Sequence, residues 1–116
     1  MAKPKLLECH FLIPIQRDSE ISDGEPHEPA TWQWLENELM DRFDGWRAET
    51  APHRGAWRSS KTGRISCDVC RCYLVAVVKN ELKELRRFLQ LACGTFAQQC
   101  IYLSVAGIVE FVETEK

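Results

Sequence analysis

Three closely spaced cysteines, Cys67-x-x-Cys70-x-Cys72, are the residues of this chain most obviously able to do chemistry. Thiolates at such spacing hold structural zinc when further ligands converge with them on the ion at about 2.0–2.3 Å. On a strand, however, neighbouring positions alternate in direction, which puts Cys70 and Cys72 on one face and Cys67 on the other. No second Cys/His pair stands at finger-like spacing, and Cys9, His10 and Cys93 could close a site only through the tertiary fold. Cys67-Asp68-Val69-Cys70 also lacks the helix N-terminus that lowers a thiol pKa for redox work. The expectation is free thiols, with no metal and no cofactor.

His10 lies in an apolar strand candidate and could act as a base or ligand contact. Strand parity suggests that it shares a sheet face with Tyr73, Tyr102 and Ser104, and these four form a candidate small-molecule site. His27, in an acidic loop, and His53, in a basic segment, read as solvated. There is no Gly-x-Ser-x-Gly elbow, no glycine-rich phosphate loop and no His-Glu-x-x-His, so no residue set commits the chain to catalysis.

A second candidate site is basic and aromatic: Trp46, Arg54, Trp57 and Arg58, flanked by Arg47, Lys61 and Arg64. Guanidinium groups neutralise phosphates and indoles stack on bases, so an anionic ligand or single-stranded nucleic acid would suit it. The overall balance argues against nucleic acid: net charge is −2 and the pI about 5.9. The bases between Arg47 and Arg71 are offset by an acidic stretch from Glu8 to Glu28.

Positioning these residues requires an alternation of strands and helices. Leu6 to Ile15 reads as a strand with Leu7, Cys9, Phe11, Ile13 and Ile15 on one parity. Gln16 to Pro29 is polar and reads as a loop. A helix runs from Pro29 or Thr31 to Phe43, with Trp32, Leu35, Leu39 and Phe43 forming its stripe. Trp34 falls off that stripe and is a candidate partner contact; Gly45 is placed to end the helix in the left-handed conformation. A strand is expected near Trp46 to Thr50 or Ala56 to Ser59, then a turn at Lys61-Thr62-Gly63, then the clearest strand, Val69 to Val78. Asn80 is expected to cap a second helix with Leu82, Leu85, Phe88, Leu89, Ala92, Cys93 and Phe96 on its stripe. Cys100 to Val105 is the last regular strand, and Ile108 to Val112 adds a fifth if Ala106-Gly107 turns the chain.

This order predicts an α+β domain over residues 1–116, a ferredoxin-like βαββαβ sandwich whose four-stranded antiparallel sheet carries both helices on one face. Both parities of Val69 to Val78 are apolar, whereas a strand wet on one side should alternate. Tyr73, Val75 and Val77 are expected on the uncovered face, covered there by a second copy in a homodimer.

The chain has 116 residues, 45% hydrophobic and 28% charged, an ordinary globular composition that can build a core without staples. No window offers the roughly 18 uninterrupted apolar residues of a membrane span. The start, Met1 to His10, makes a poor signal peptide, and the six cysteines fit a reducing compartment, so the expected location is cytoplasmic.

Phe43-Asp44-Gly45-Trp46, Gly55-Ala56-Trp57, Thr62-Gly63-Arg64-Ile65, the strand from Tyr73 and the late Gln98-Gln99 pair resemble the motifs of a group of small uncharacterised bacterial and phage-associated proteins. The resemblance spans residues 30 to 105 and implies a ferredoxin-like fold with no assigned reaction. Gln99 stands where that pattern usually has an acid.

Overall fold

The computed structural model describes residues 5–114, so the first four residues of the stretch read above as a poor signal peptide lie outside it. The chain forms β1 (Leu6–Pro14), α1 (Pro29–Phe43), β2 (Arg47–Ala48), β3 (His53–Arg58), β4 (Ile65–Val78), α2 (Leu82–Thr95), β5 (Cys100–Val105) and β6 (Ile108–Glu113). The sheet is six-stranded with order β2-β4-β1-β5-β6, and β3 extends β2's side by pairing with the first half of β4. Every strand pairing is antiparallel.

The sheet has more strands than the expected four or five because both candidates in 46–59 are real. The link between β2 and β3 contains Pro52, which has no N–H to give to a ladder. The second hairpin, β5–β6, turns on Ala106 and Gly107, both left-handed at φ 48° and 89°, the two-residue geometry that matches strand twist.

Both helices pack on one face. Trp32, Leu35, Leu39 and Phe43 of α1 and Leu85, Phe88, Leu89, Ala92 and Cys93 of α2 join Cys9, Phe11 and Ile13 of β1 in one core. The two stripes are those read from the helical period. Trp34 does not await a partner: its ring lies 5.7 Å from Phe88 and 6.4 Å from Phe96, filling the seam between helices.

The direction of β4 is the main correction. Tyr73, Val75 and Val77 belong to the helix-covered core, not to the open face. Cross-strand partners share a face, and β1 pairs Cys9 with Val75 and Phe11 with Tyr73. Moving the assignment by one residue inverts the whole strand. The open face instead carries Cys70, Cys72, Leu74 and Ala76 from β4, with His10 and Leu12 from β1.

The helix ends also differ from expectation. Asp44, not Gly45, takes the left-handed conformation (φ 63°) and donates its N–H to Met40 O. Asn80 sits inside a short 3-10 turn, Lys79–Glu81, where the Glu81 carboxylate accepts the Val78 N–H at 3.0 Å; Glu81, not Asn80, precedes α2. No helix among the described residues is long and apolar enough to cross a membrane.

Candidate functional site

The shortness of β2 opens a concavity at the edge of the sheet. Because β2 pairs only with Tyr73 and Leu74, the outer edge of β4 from Val75 to Val78 has no strand beside it among the described residues. The end of α1 and the 3-10 turn stand on either side of this gap. Between them lies a groove of about 880 Å³, floored by Leu74, Val75 and Ala76. Such a volume is in the range of small-molecule sites. Its walls carry the carboxylates of Glu8, Asp44 and Glu81, one guanidinium, Arg47, and the indole of Trp46. Trp46 is fixed edge-on against Tyr73, with ring centroids 5.8 Å apart.

A smaller recess of about 330 Å³ opens between α1 and β4, lined by His27, Trp32, Gln33, Glu36 and Arg71. The Arg71 guanidinium lies 4.1 Å over the Trp32 ring. Tyr73 donates to Glu36 Oε2 at 2.7 Å, and burial, followed by that carboxylate, pushes the phenol up to about 12. His27 is buried rather than solvated, between Trp32 and Phe96 at 5.3 and 4.9 Å. Its Nε2 lies 2.8 Å from Pro14 O, and since a carbonyl only accepts, Nε2 carries the proton. Burial is the chief reason that the His27 pKa falls below its usual value.

The loop holding His27 is tied down along its length. His27 N–H donates to Ile15 O and Asp18 N–H to Ala97 O. Gln98 Nε2 donates to Gln16 O, and Gln99 Nε2 to carboxylate oxygens of Asp18 and Glu20 at 2.9 and 2.8 Å. The late glutamine pair thus braces a loop.

The sequence-derived candidates are only partly brought together. His10 pairs with Ser104, and Leu12 with Tyr102, so His10, Ser104 and Tyr102 share the open sheet face. Tyr73 is separated from them by the sheet itself. Of the basic set, Arg54, Trp57 and Arg58 lie on β3, where alternation sends Trp57 to one face and both arginines to the other. Arg58 Nη1 donates to Gly63 O, closing the β3–β4 turn. Trp46 lies instead in the groove. No one face gathers the four.

All six cysteines are free; Cys9, Cys70, Cys72 and Cys93 are buried and Cys67 is exposed. Cys93 donates to Val112 O and Cys9 is enclosed in the core, so they do not close a site with His10. Burial, then the neighbouring Asp68, pushes the Cys70 thiol up to about 12. Burial and Glu49 raise that of Cys72. Sequence reading did not single out Glu49 and set His53 aside as solvated, yet their donor atoms and the Cys72 thiol all lie within 4.8 Å of one another.

No family model matches this chain, and no curated protein matches it. Two solved structures share its fold. A phage SAM lyase in complex with S-methyl-5'-thioadenosine superposes with a TM-score of 0.67 at 10% identity, over 99% of this chain and 95% of that one. A phage SAM lyase in its apo state gives 0.58 at 9% identity, over 100% and 95%. The class defined by fold is thus an α+β chain with a helix pair on one face of an antiparallel sheet. Its shared architecture extends end to end with these lyases.

Proposed function

We propose that this chain is a small-molecule enzyme whose groove takes an adenosine-bearing sulfonium such as S-adenosylmethionine, or its thioether product. The observation that carries the reading is the groove itself, in a fold coextensive with that of a lyase holding S-methyl-5'-thioadenosine. The chemistry of the walls suits that class of ligand. Trp46 offers a face for stacking adenine or for a cation–π contact with the sulfonium. Glu8, Asp44 and Glu81 favour a cation, and Arg47 can take a substrate carboxylate. Attack by the substrate's own carboxylate on the amino-acid carbon next to sulfur closes a lactone ring as the carbon–sulfur bond breaks, sends that bond's electron pair to sulfur and leaves a neutral thioether. The three wall carboxylates then hold the product less strongly than the substrate, which favours turnover.

Calorimetric titration with S-adenosylmethionine and S-methyl-5'-thioadenosine, combined with chromatography for released thioether, tests this. Binding of either compound, lost in Trp46→Ala with folding intact, is expected. Absence of binding at millimolar ligand would overturn the reading.

The strand order, with α1 and α2 on one face, supports reading the topology as ferredoxin-like βαββαβ with β6 appended. The free cysteines support a cytoplasmic setting. A second reading concerns the open sheet face. Leu12, Leu74, Tyr102, Val109 and Phe111 lie there around His10 and Ser104, with Phe111 63% exposed. The outer edge of β6 has no strand partner among the described residues, and antiparallel pairing of β6 with itself is two-fold self-complementary. A second copy of this chain is the occupant that this symmetry supports.

A further inference from the structure

The loop between β2 and β3 places three different metal-ligating groups over one point of the sheet. Glu49 leaves β2 with its N–H donated to Cys72 O at 3.0 Å, which fixes it beside β4. Three residues intervene before His53 starts β3, where it is registered opposite Cys70. Cys72 is on the same face, two positions along β4 from Cys70. The donor atoms of Glu49, His53 and Cys72 lie within 4.8 Å of one another.

We propose that Glu49, His53 and Cys72 form a binding site for one divalent transition-series ion, with Zn²⁺ the best match. Bonds of about 2.0–2.3 Å in a tetrahedral site require donors about 3.3–3.8 Å apart, so side-chain adjustments of about an ångström close it. Glu49 and His53 are exposed and free to make that adjustment, while the buried Cys72 supplies a fixed anchor. One carboxylate, one imidazole and one thiolate select a borderline-soft ion. Mg²⁺ and Ca²⁺, which take oxygen ligands, are excluded by the sulfur. Carboxylate and thiolate together cancel the ion's two positive charges, leaving a neutral centre on the sheet surface. Three protein ligands leave the fourth position to water. Cys70 lies alongside, its surroundings shaped by Asp68; the Asp68 Oδ1 atom comes so near Gly55 that a Cβ there would meet it at 3.3 Å. The ion would pin the two short strands β2 and β3 to β4, and this site is independent of the groove reading.

Titration of the reduced full chain with Co²⁺ tests the site, because a thiolate ligand gives a sulfur-to-cobalt charge-transfer band and four-coordination gives intense d–d absorption. One equivalent should bind, and Zn²⁺ should displace it. Glu49→Gln and His53→Ala remove exposed groups and should each weaken binding at least about tenfold, the lower end of what losing even an outer ligand partner costs. Circular dichroism of both variants should match the parent. Cys67→Ser, altering the exposed thiol on the opposite face, should leave the affinity unchanged. No charge-transfer band with Co²⁺ in excess would overturn the proposal. So would parent-like affinity in both Glu49→Gln and His53→Ala, since the thiols alone would then be responsible. Loss of the band in Cys67→Ser would overturn it too.

Discussion

The Tyr73 hydroxyl donates a 2.7 Å hydrogen bond to Glu36 Oε2, joining the middle of β4 to the exposed flank of α1 from within the core. The ring beneath is fully buried, stacked on Phe11 at 5.7 Å and on Trp32 at 6.3 Å. A phenol at this depth needs an acceptor, and Glu36 reaches in to provide it. Tyr73→Phe keeps the stacking and removes the bond. Because Glu36 is only half-buried and can return to water, the cost should be about 1 kcal/mol. Tyr73→Ala, which also leaves a cavity, should cost about 3–5 kcal/mol. Urea denaturation with an unchanged m-value is the measurement, and a Tyr73→Phe chain as stable as the parent would show the bond to be idle.

That Tyr73 faces the helices could not be read from its own strand. In β1 only one parity is consistently apolar, and Cys9, Phe11 and Ile13 are buried as that pattern requires. The stripe of α2 was legible for the same reason: apart from the exposed Leu91, the rest of its circumference is mostly polar. In β4 the residues from Leu74 to Val78 are apolar on both parities, so alternation carries no direction, and pairing with β1 decides. The groove was hidden because it follows from where β2 stops pairing, not from any motif. The cluster of Glu49, His53 and Cys72 depends on pairing between segments about twenty residues apart, and His27 on a loop folded back upon β1. None of these leaves a local signature.

His27 should make stability depend on pH near neutrality. Its folded-state pKa is lowered, chiefly by burial, with Arg17 and Arg71 acting in the same direction and the Pro14 carbonyl and Asp23 opposing. The unfolded chain, with an ordinary value near 6.5, therefore takes up the proton first as pH falls. Stability is fully present above that value and is lost progressively below it, down to the folded-state pKa. Denaturation midpoints should fall between pH 7.5 and pH 5.5, where carboxylates remain largely ionised. His27→Gln keeps an N–H for Pro14 O but cannot titrate, and should flatten this slope. An equal slope in the variant would assign the effect to other groups.

Arg86 and Glu110 form a two-pronged pair at 2.6 and 3.1 Å that ties α2 to β6. Both side chains are substantially exposed, at 44% and 33%, so water and salt weaken the attraction. Glu110→Gln should lower stability by less than about 1 kcal/mol, and by less still at high ionic strength. A larger loss, insensitive to salt, would mean that the pair sets the position of β6 rather than decorating it.

Phe111 tests whether a second copy covers the open face. Its ring stands 5.8 Å from Tyr102 in an edge-to-face contact, at the outer strand of the sheet, and most of its surface is free. A carboxylate there would be costly only if the face becomes dry, since on a wet surface an aspartate is readily solvated. Phe111→Asp should therefore turn an associated species into a monomer while leaving the unfolding free energy at high dilution within about 0.5 kcal/mol of the parent. Size-exclusion chromatography with light scattering distinguishes the outcomes. A parent chain that stays monomeric at high concentration would remove the case for a second copy, and the apolar residues around His10 and Ser104 would then be surface that water simply tolerates.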